Sequence, residues 1–161
     1  MKVVALVQAR MGSTRLPNKV MKLVGGVPMI ELLLVRLSRA TEVDQIVVAT
    51  STDARNQPLV SHLQARGYAC EQGSENDVLD RFVQAARAHH ADVVVRITGD
   101  CPLVSAALVD ECIRRFQTAG VDYFSNVSPP TYPDGLDIEV CSLQAWSWHG
   151  ETPPRHVTES M

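Results

Sequence analysis

Short β-branched runs alternate along this chain with longer stretches in which apolar residues recur every three to four positions. The runs Val3 to Gln8, Gln45 to Ser51 and Asp92 to Thr98 are nearly continuous in Val, Ile and Ala, the pattern of central strands covered on both faces. Shorter runs at Tyr68 to Glu71 and Val121 to Asn126 predict further strands. Three helices are expected between them. One starts at Pro28, after Gly25-Gly26, and runs to Ala40. The next follows Ser74 and Asp77, with Val78, Leu79, Phe82, Val83 and Ala86 on one stripe. In the third, Ser105 caps a face of Val109, Cys112, Ile113 and Phe116 that stops at Gly120. Alternation of this kind predicts a layered α/β fold with a mostly parallel sheet.

Composition narrows the class. Of the 161 residues 45% are hydrophobic and 20% charged, and 15 Lys+Arg stand against 18 Asp+Glu for a net charge of −3. One globular domain over residues 1–161 is expected, and neither a disordered tail nor a nucleic-acid binder relying on general phosphate neutralisation fits. No apolar run reaches the roughly 18 residues that cross a bilayer, so no membrane partner is expected. The four cysteines, Cys70, Cys101, Cys112 and Cys141, form no C-x-x-C pair and have no His at zinc-ligand spacing. They are read as reduced thiols of a cytoplasmic protein. His89 and His90 are read as solvated residues at a helix end.

Chemistry concentrates where the first strand ends. Gln8-Ala9-Arg10-Met11-Gly12-Ser13-Thr14-Arg15-Leu16-Pro17-Asn18-Lys19 is a small-residue loop at the carboxyl end of a strand, where open α/β sheets bind ligands. Backbone N–H groups at Gly12, Ser13 and Thr14 can approach a phosphate, and Arg10, Arg15 and Lys19 supply charge. Five basic residues, Lys2, Arg10, Arg15, Lys19 and Lys22, precede the first acid, Glu31. The loop is neither a P-loop nor a G-x-G-x-x-G fingerprint. A turn with solvated basic residues is the competing reading.

Two later segments carry acids. Asp100, in Arg96-Ile97-Thr98-Gly99-Asp100-Cys101-Pro102, is expected on the same sheet edge as the Gly12 loop, where it could hold a divalent cation or simply end a strand in a turn. Cys101 is read as a small buried thiol. If Leu136 to Val140 is a strand, Asp137 and Glu139 share one face, after the Asp134-Gly135 turn; they could grip sugar hydroxyls or a metal, or form a solvated face. Trp146 and Trp148 are expected in the core or an interface.

These segments resemble the spore coat polysaccharide biosynthesis protein F family, a cytidylyltransferase branch similar to the 3-deoxy-manno-octulosonate and acylneuraminate cytidylyltransferases. The matching stretches are QARMGSTRLPNKV at 8–20, VVATS with Asp53, GSENDVLDRF at 73–82, RITGDCPLV at 96–104 and TYPDGLDIEV at 131–140. The resemblance implies a Rossmann-like three-layer nucleotide-diphospho-sugar transferase (GT-A-like) fold. It implies transfer of CMP from CTP to an acidic or modified sugar, with Mg2+ as cofactor and release of pyrophosphate. By the same resemblance, Gln8, Ala9, Arg10, Met11, Gly12, Ser13, Arg15, Lys19, Gly73 and Asp77 bind the nucleotide. Arg15, Lys19 and Asp100 are catalytic, Asp100 holds the metal, and Asp134, Asp137 and Glu139 face the sugar. Relatives of this kind are longer, so a C-terminal part with a second metal ligand is expected to be missing, and they pair as homodimers. A glycosyltransferase of the same fold is disfavoured by the lack of an Asp-x-Asp pair; a non-catalytic nucleotide-binding module is the reading from another class.

Overall fold

The computed structural model describes residues 1–127 and 129–146, and the backbone of 156–158. The elements in chain order are β1 (Val3–Gln8), β2 (Leu23–Val24), β3 (Val27–Pro28), α1 (Met29–Leu37), β4 (Gln45–Ser51), α2 (Gln57–Ala65), β5 (Ala69–Gly73) and α3 (Val78–Ala88). They continue with β6 (Val93–Thr98), α4 (Ala106–Ala119), β7 (Tyr123–Ser125), β8 (Glu139–Ser142), α5 (Leu143–Trp146) and β9 (His156–Thr158). Seven strands form one sheet in the order β5-β4-β1-β6-β8-β7-β9. Pairing is parallel from β5 through β6, and β8 runs antiparallel to both β6 and β7.

Strand register assigns each side chain to a layer. Val3, Ala5 and Val7 of β1, with Val93, Val95 and Ile97 of β6, pack under Ile30, Leu33, Leu34 and Leu37 of α1 and Val109, Cys112, Ile113 and Phe116 of α4. The opposite face presents Val4, Leu6, Val47, Val94 and Cys141 to Phe82, Ala85 and Ala86 of α3, with Trp146 of α5 against the cluster. Three layers result, as the double-sided apolar strands require. Trp146 meets Phe82 edge to face at 5.1 Å, a core role; Trp148 lies outside the described residues.

β1 and β4 begin and end where the pattern places them, and Ser105 caps α4 by accepting from the Leu108 N–H, with Gly120 in the left-handed conformation that ends it. Other boundaries move. Pro28 is the N-cap of α1 rather than its first residue, because it belongs to a two-residue strand paired with β2. That hairpin turns at Gly25 and Gly26, both at positive φ. The strand expected at Leu136 to Val140 starts only at Glu139, since the Asn126 side chain takes the Ile138 N–H and the Leu136 carbonyl. His89 is not solvated: it caps α3 and bridges Gln45 Nε2 and the Glu71 carboxylate at 3.0 and 2.9 Å. No two cysteines are bonded; Cys70 is half-buried and the other three are buried. Among the described residues no helix is long and apolar enough to cross a membrane.

Candidate active site

β1 and β6 are neighbours, so the segments that follow them emerge side by side at the carboxyl edge. Gly99 makes the join tight: its N–H donates to the Gln8 carbonyl at 2.7 Å, and a Cβ there would stand 2.7 Å from that oxygen. Asp100 is thereby brought to Lys19, whose Nζ donates to Oδ2 at 2.6 Å.

The loop between Ala9 and Lys19 is held by its own carbonyls and by one buried side chain. The Met11 carbonyl accepts from the Ser13 and Asn18 N–H groups, and the Ser13 hydroxyl accepts from the Leu16 N–H. Asn18 takes the left-handed conformation, and Val20 buries itself to anchor the turn that carries Lys19. From 45 residues away, Asn56 accepts the Met11 N–H at 2.8 Å, while its amide donates to Ser51. Asn56 is only 2% exposed, and sequence reasoning missed it. Beside it, Arg55 grips Asp53 through two hydrogen bonds of 2.9 and 2.7 Å and lies against Gly12. Those bonds hold the Asp53 carboxyl down to about 2.

A cleft of about 290 Å³ opens above this edge, lined by Gln8, Arg10, Ser13, Thr14, Arg15, Lys19, Val20, Arg96, Thr98, Gly99 and Asp100. Four cations and one acid face it. Burial opposes ionisation of Asp100, but hydrogen bonds from Lys19 and Thr98 outweigh it and leave the carboxyl below the usual range. Ala9 and Met11 turn into the core, so any nucleotide contact from them is through backbone, and the Met11 N–H is already engaged. Gly73 packs under Arg81, where a Cβ would meet that side chain at 2.9 Å. Asp77 caps α3 by accepting from the Asp80 N–H. The loop before it reaches the cleft through Glu75, 3.7 Å from Arg10.

A second cavity, about 720 Å³, shares Thr98 and Asp100 with the first and is otherwise lined by Cys101, Pro102, Leu103, Pro133, Asp134, Gly135, Leu136 and Asp137. Glu139 does not join Asp134 and Asp137 there. It forms an ion pair with Arg96 and accepts from the Tyr123 hydroxyl at 2.7 Å, while Arg96 also reaches the Gln8 side chain. Burial, and then the bond to Glu139, push the Tyr123 phenol up to about 12. Cys101 is buried with its thiol against the Thr98 hydroxyl, and burial raises its pKa, which leaves it no character of a nucleophile.

A basic loop and a strand-end Asp that converge on a phosphate-sized cleft describe a nucleotidyltransferase edge, and the sequence matches accordingly: a cytidylyltransferase family model covers residues 4–133. The chain belongs to the cytidylyltransferase family. Two of its relatives in this family are the spore coat polysaccharide biosynthesis protein SpsF of Bacillus subtilis and 3-deoxy-manno-octulosonate cytidylyltransferase 2 of Hydrogenovibrio crunogenus. The first is 36% identical over 153 residues, which is 89% of this chain and 64% of the relative. The second is 35% identical over 145 residues, covering 88% and 58%. A solved cytidylyltransferase from Leptospira borgpetersenii superimposes with a TM-score of 0.86 at 32% identity, over 91% of this chain and 62% of that one. The chain thus spans about three fifths of the length of the curated relatives it matches.

Proposed function

We propose that this cytidylyltransferase transfers CMP from CTP to a sugar hydroxyl and releases pyrophosphate, in surface polysaccharide synthesis. The observation that carries the reading is the meeting of Lys19 and Asp100 at 2.6 Å on the rim of a cleft faced by Arg10, Arg15 and Arg96. In this reading the acceptor oxygen forms a bond to the α-phosphorus as it loses its proton. The bond from that phosphorus to the bridging oxygen breaks, and pyrophosphate departs with the electron pair. Arg10, Arg15 and Lys19 hold the β- and γ-phosphates and take up the charge that develops on the leaving group, where one such contact is worth about 3 kcal/mol of barrier. Ser13 and Thr14 line the same wall and offer hydroxyl and backbone donors.

Magnesium fits the donors present. The Asp100 carboxylate, with the Thr98 hydroxyl beside it, offers hard oxygen donors, which would suit a hard cation once Lys19 turns to the phosphates. Among the described residues no three His, Cys, Asp or Glu side chains gather as a metal cage. Asp100 would therefore hold the ion with the triphosphate oxygens completing its shell, and the ion would neutralise phosphate charge. Asp134 and Asp137 face the acceptor.

The test is pyrophosphate release on adding CTP, Mg2+ and a panel of sugars, together with calorimetry of CTP, ATP, GTP and UTP. Selective CTP binding that strengthens with Mg2+ is expected. Absence of binding to all four nucleotides would overturn the reading.

A further inference from the structure

A line of hydrogen bonds crosses the sheet beneath the cleft. The Tyr123 hydroxyl of β7 donates to Glu139 of β8 at 2.7 Å, Glu139 pairs with Arg96 of β6, and Arg96 reaches the Gln8 side chain of β1 at 3.3 Å. The strand order β1-β6-β8-β7 sets these side chains in the same sequence across the sheet. Gln8 and Arg96 line the cleft, and Glu139 and Tyr123 stand behind Arg96. An arginine tied on both sides has its planar fork oriented before a ligand arrives.

Thr98 and Asp100 line both cavities, and they mark where the reacting centre must stand. In-line transfer needs the α-phosphorus between the leaving pyrophosphate, held by Arg10, Arg15 and Lys19, and an acceptor oxygen arriving from the opposite side. Arg96 comes two residues before Thr98 in β6, so its side chain leaves the same face of the sheet roughly 7 Å deeper. It lies under that border and lines the first cavity but not the second.

We infer that Arg96 grips the α-phosphate, the one that stays with the nucleoside when pyrophosphate leaves, and that Glu139 and Tyr123 are positioning residues that keep its guanidinium aimed there. This rests on the CMP-transfer reading. The division of labour follows from what carries each cation. Arg10, Arg15 and Lys19 belong to a loop, and the group they hold departs. Arg96 belongs to a central strand, so it holds the transferring phosphorus still while the bond to the bridging oxygen lengthens. Its charge is already shared with Glu139, which makes it a directed donor rather than a sink for the charge of the leaving group. Arg96 neither gives nor takes a proton, and the bonds made and broken are those of CMP transfer.

The test is calorimetry of CMP, CTP and inorganic pyrophosphate, each with Mg2+, on the full 161-residue chain and on Arg96→Gln, Glu139→Gln, the R96Q/E139Q double variant and Lys19→Met. Arg96→Gln is expected to weaken CMP and CTP alike by about 10- to 100-fold, and pyrophosphate by less than about threefold. Lys19→Met should weaken pyrophosphate and CTP more than CMP. Glu139→Gln should weaken CMP by about three- to tenfold in the parent and by nothing further in Arg96→Gln, as befits a residue acting through another. A merely structural Glu139 would cost the same in both backgrounds. The double variant strands neither member of the ion pair, so if Arg96→Gln fails to melt cooperatively, the selective loss of CMP over pyrophosphate is read from the double variant. Unchanged CMP binding without Arg96, or equal losses for CMP and pyrophosphate, overturns the inference. A parent chain that binds none of these ligands overturns both it and the CMP-transfer reading. CMP binding that depends on Arg96, with no pyrophosphate released from CTP by any sugar, removes the transfer reading and leaves the α-phosphate contact standing.

Discussion

Lys19 and Asp100 lie 81 residues apart in sequence and 2.6 Å apart in space, and each is the other's counter-ion. The pair closes the cleft on itself, so a triphosphate must take Lys19 from Asp100, and a divalent cation must take Asp100 from Lys19. Binding the two together costs least, because each arrival frees the partner of the other. Lys19→Met should weaken CTP binding by about 10- to 100-fold, the worth of a charge-assisted hydrogen bond. Asp100→Asn should leave CTP binding without metal intact or tighter and remove its strengthening by Mg2+. Both variants should melt near the parent temperature, since a half-exposed pair adds little stability. Calorimetry at several Mg2+ concentrations is the check.

Asn56 is a hidden strut of the phosphate loop. Asn56→Ala strands the Met11 N–H in a buried place and takes one of two donors from the Ser51 hydroxyl, and should cost about 1 to 3 kcal/mol in urea unfolding. Amide exchange at Met11 should rise far more than exchange at the β6 amides, which separates a local strut from a general loss.

Gly99→Ala should be costly without touching any ligand. Its new Cβ would meet the Gln8 carbonyl and the Ala9 Cβ, at 2.7 and 3.0 Å, and backbone does not step aside as a flexible side chain does. A loss of about 1 to 3 kcal/mol is expected, together with a wider Lys19 to Asp100 separation that weakens CTP binding.

Asp137 gives a pH signature of opposite sign to most carboxylates. Its folded pKa is raised above 3.8 by burial and by three neighbouring acids, so the folded chain holds its proton more tightly than the unfolded chain does. Its contribution to stability is complete below 3.8 and is lost as pH rises through the folded value. Asp137→Asn should therefore raise the melting temperature slightly at neutral pH and leave it unchanged at about pH 3. A melting series across pH, parent against variant, reads this directly.

Tyr123 reports on the Arg96 and Glu139 pair. Glu139→Gln removes the carboxylate that receives its hydroxyl, and burial alone should hold the phenol less far above 10 than the present value of about 12. An ultraviolet titration, parent against variant, should show the Tyr123 component moving down.

What sequence reasoning could and could not see follows from the range of the interactions. β1 and β4 were legible because both faces of each strand are buried, and α4 because a cap, an apolar stripe and a stopping glycine agree over sixteen residues. The β2 and β3 hairpin escaped notice: four residues are too few for a period, and three of them are exposed. α2 also escaped, with only Leu59, Val60 and Leu63 buried, although Pro58 and the Asp53 turn mark its start. At the site, the Gly12 loop and Asp100 stood out because both follow parallel strands. The alternation that set Glu139 beside Asp137 could not reveal Arg96, 43 positions earlier, which draws Glu139 away. Asn56 left no local signal either, because its business is with Met11.

One face of the sheet changes character partway along its strands. Under α3 it is Leu6, Val94 and Cys141; two positions further toward the cleft, on the same face, it is Gln8, Arg96 and Glu139. The switch falls at the same height on β6 and β8, where Arg96 pairs with Glu139 although the two strands run in opposite directions, and two residues later on β1, where Leu6 is level with Arg96. It marks a waterline, the level at which the helix ceases to shelter the sheet. Cleft depth is therefore set less by the loops around its mouth than by how far α3 reaches. Making Gln8, Arg96 and Glu139 apolar together would invite the helical layer down over the floor and fill the hollow from beneath.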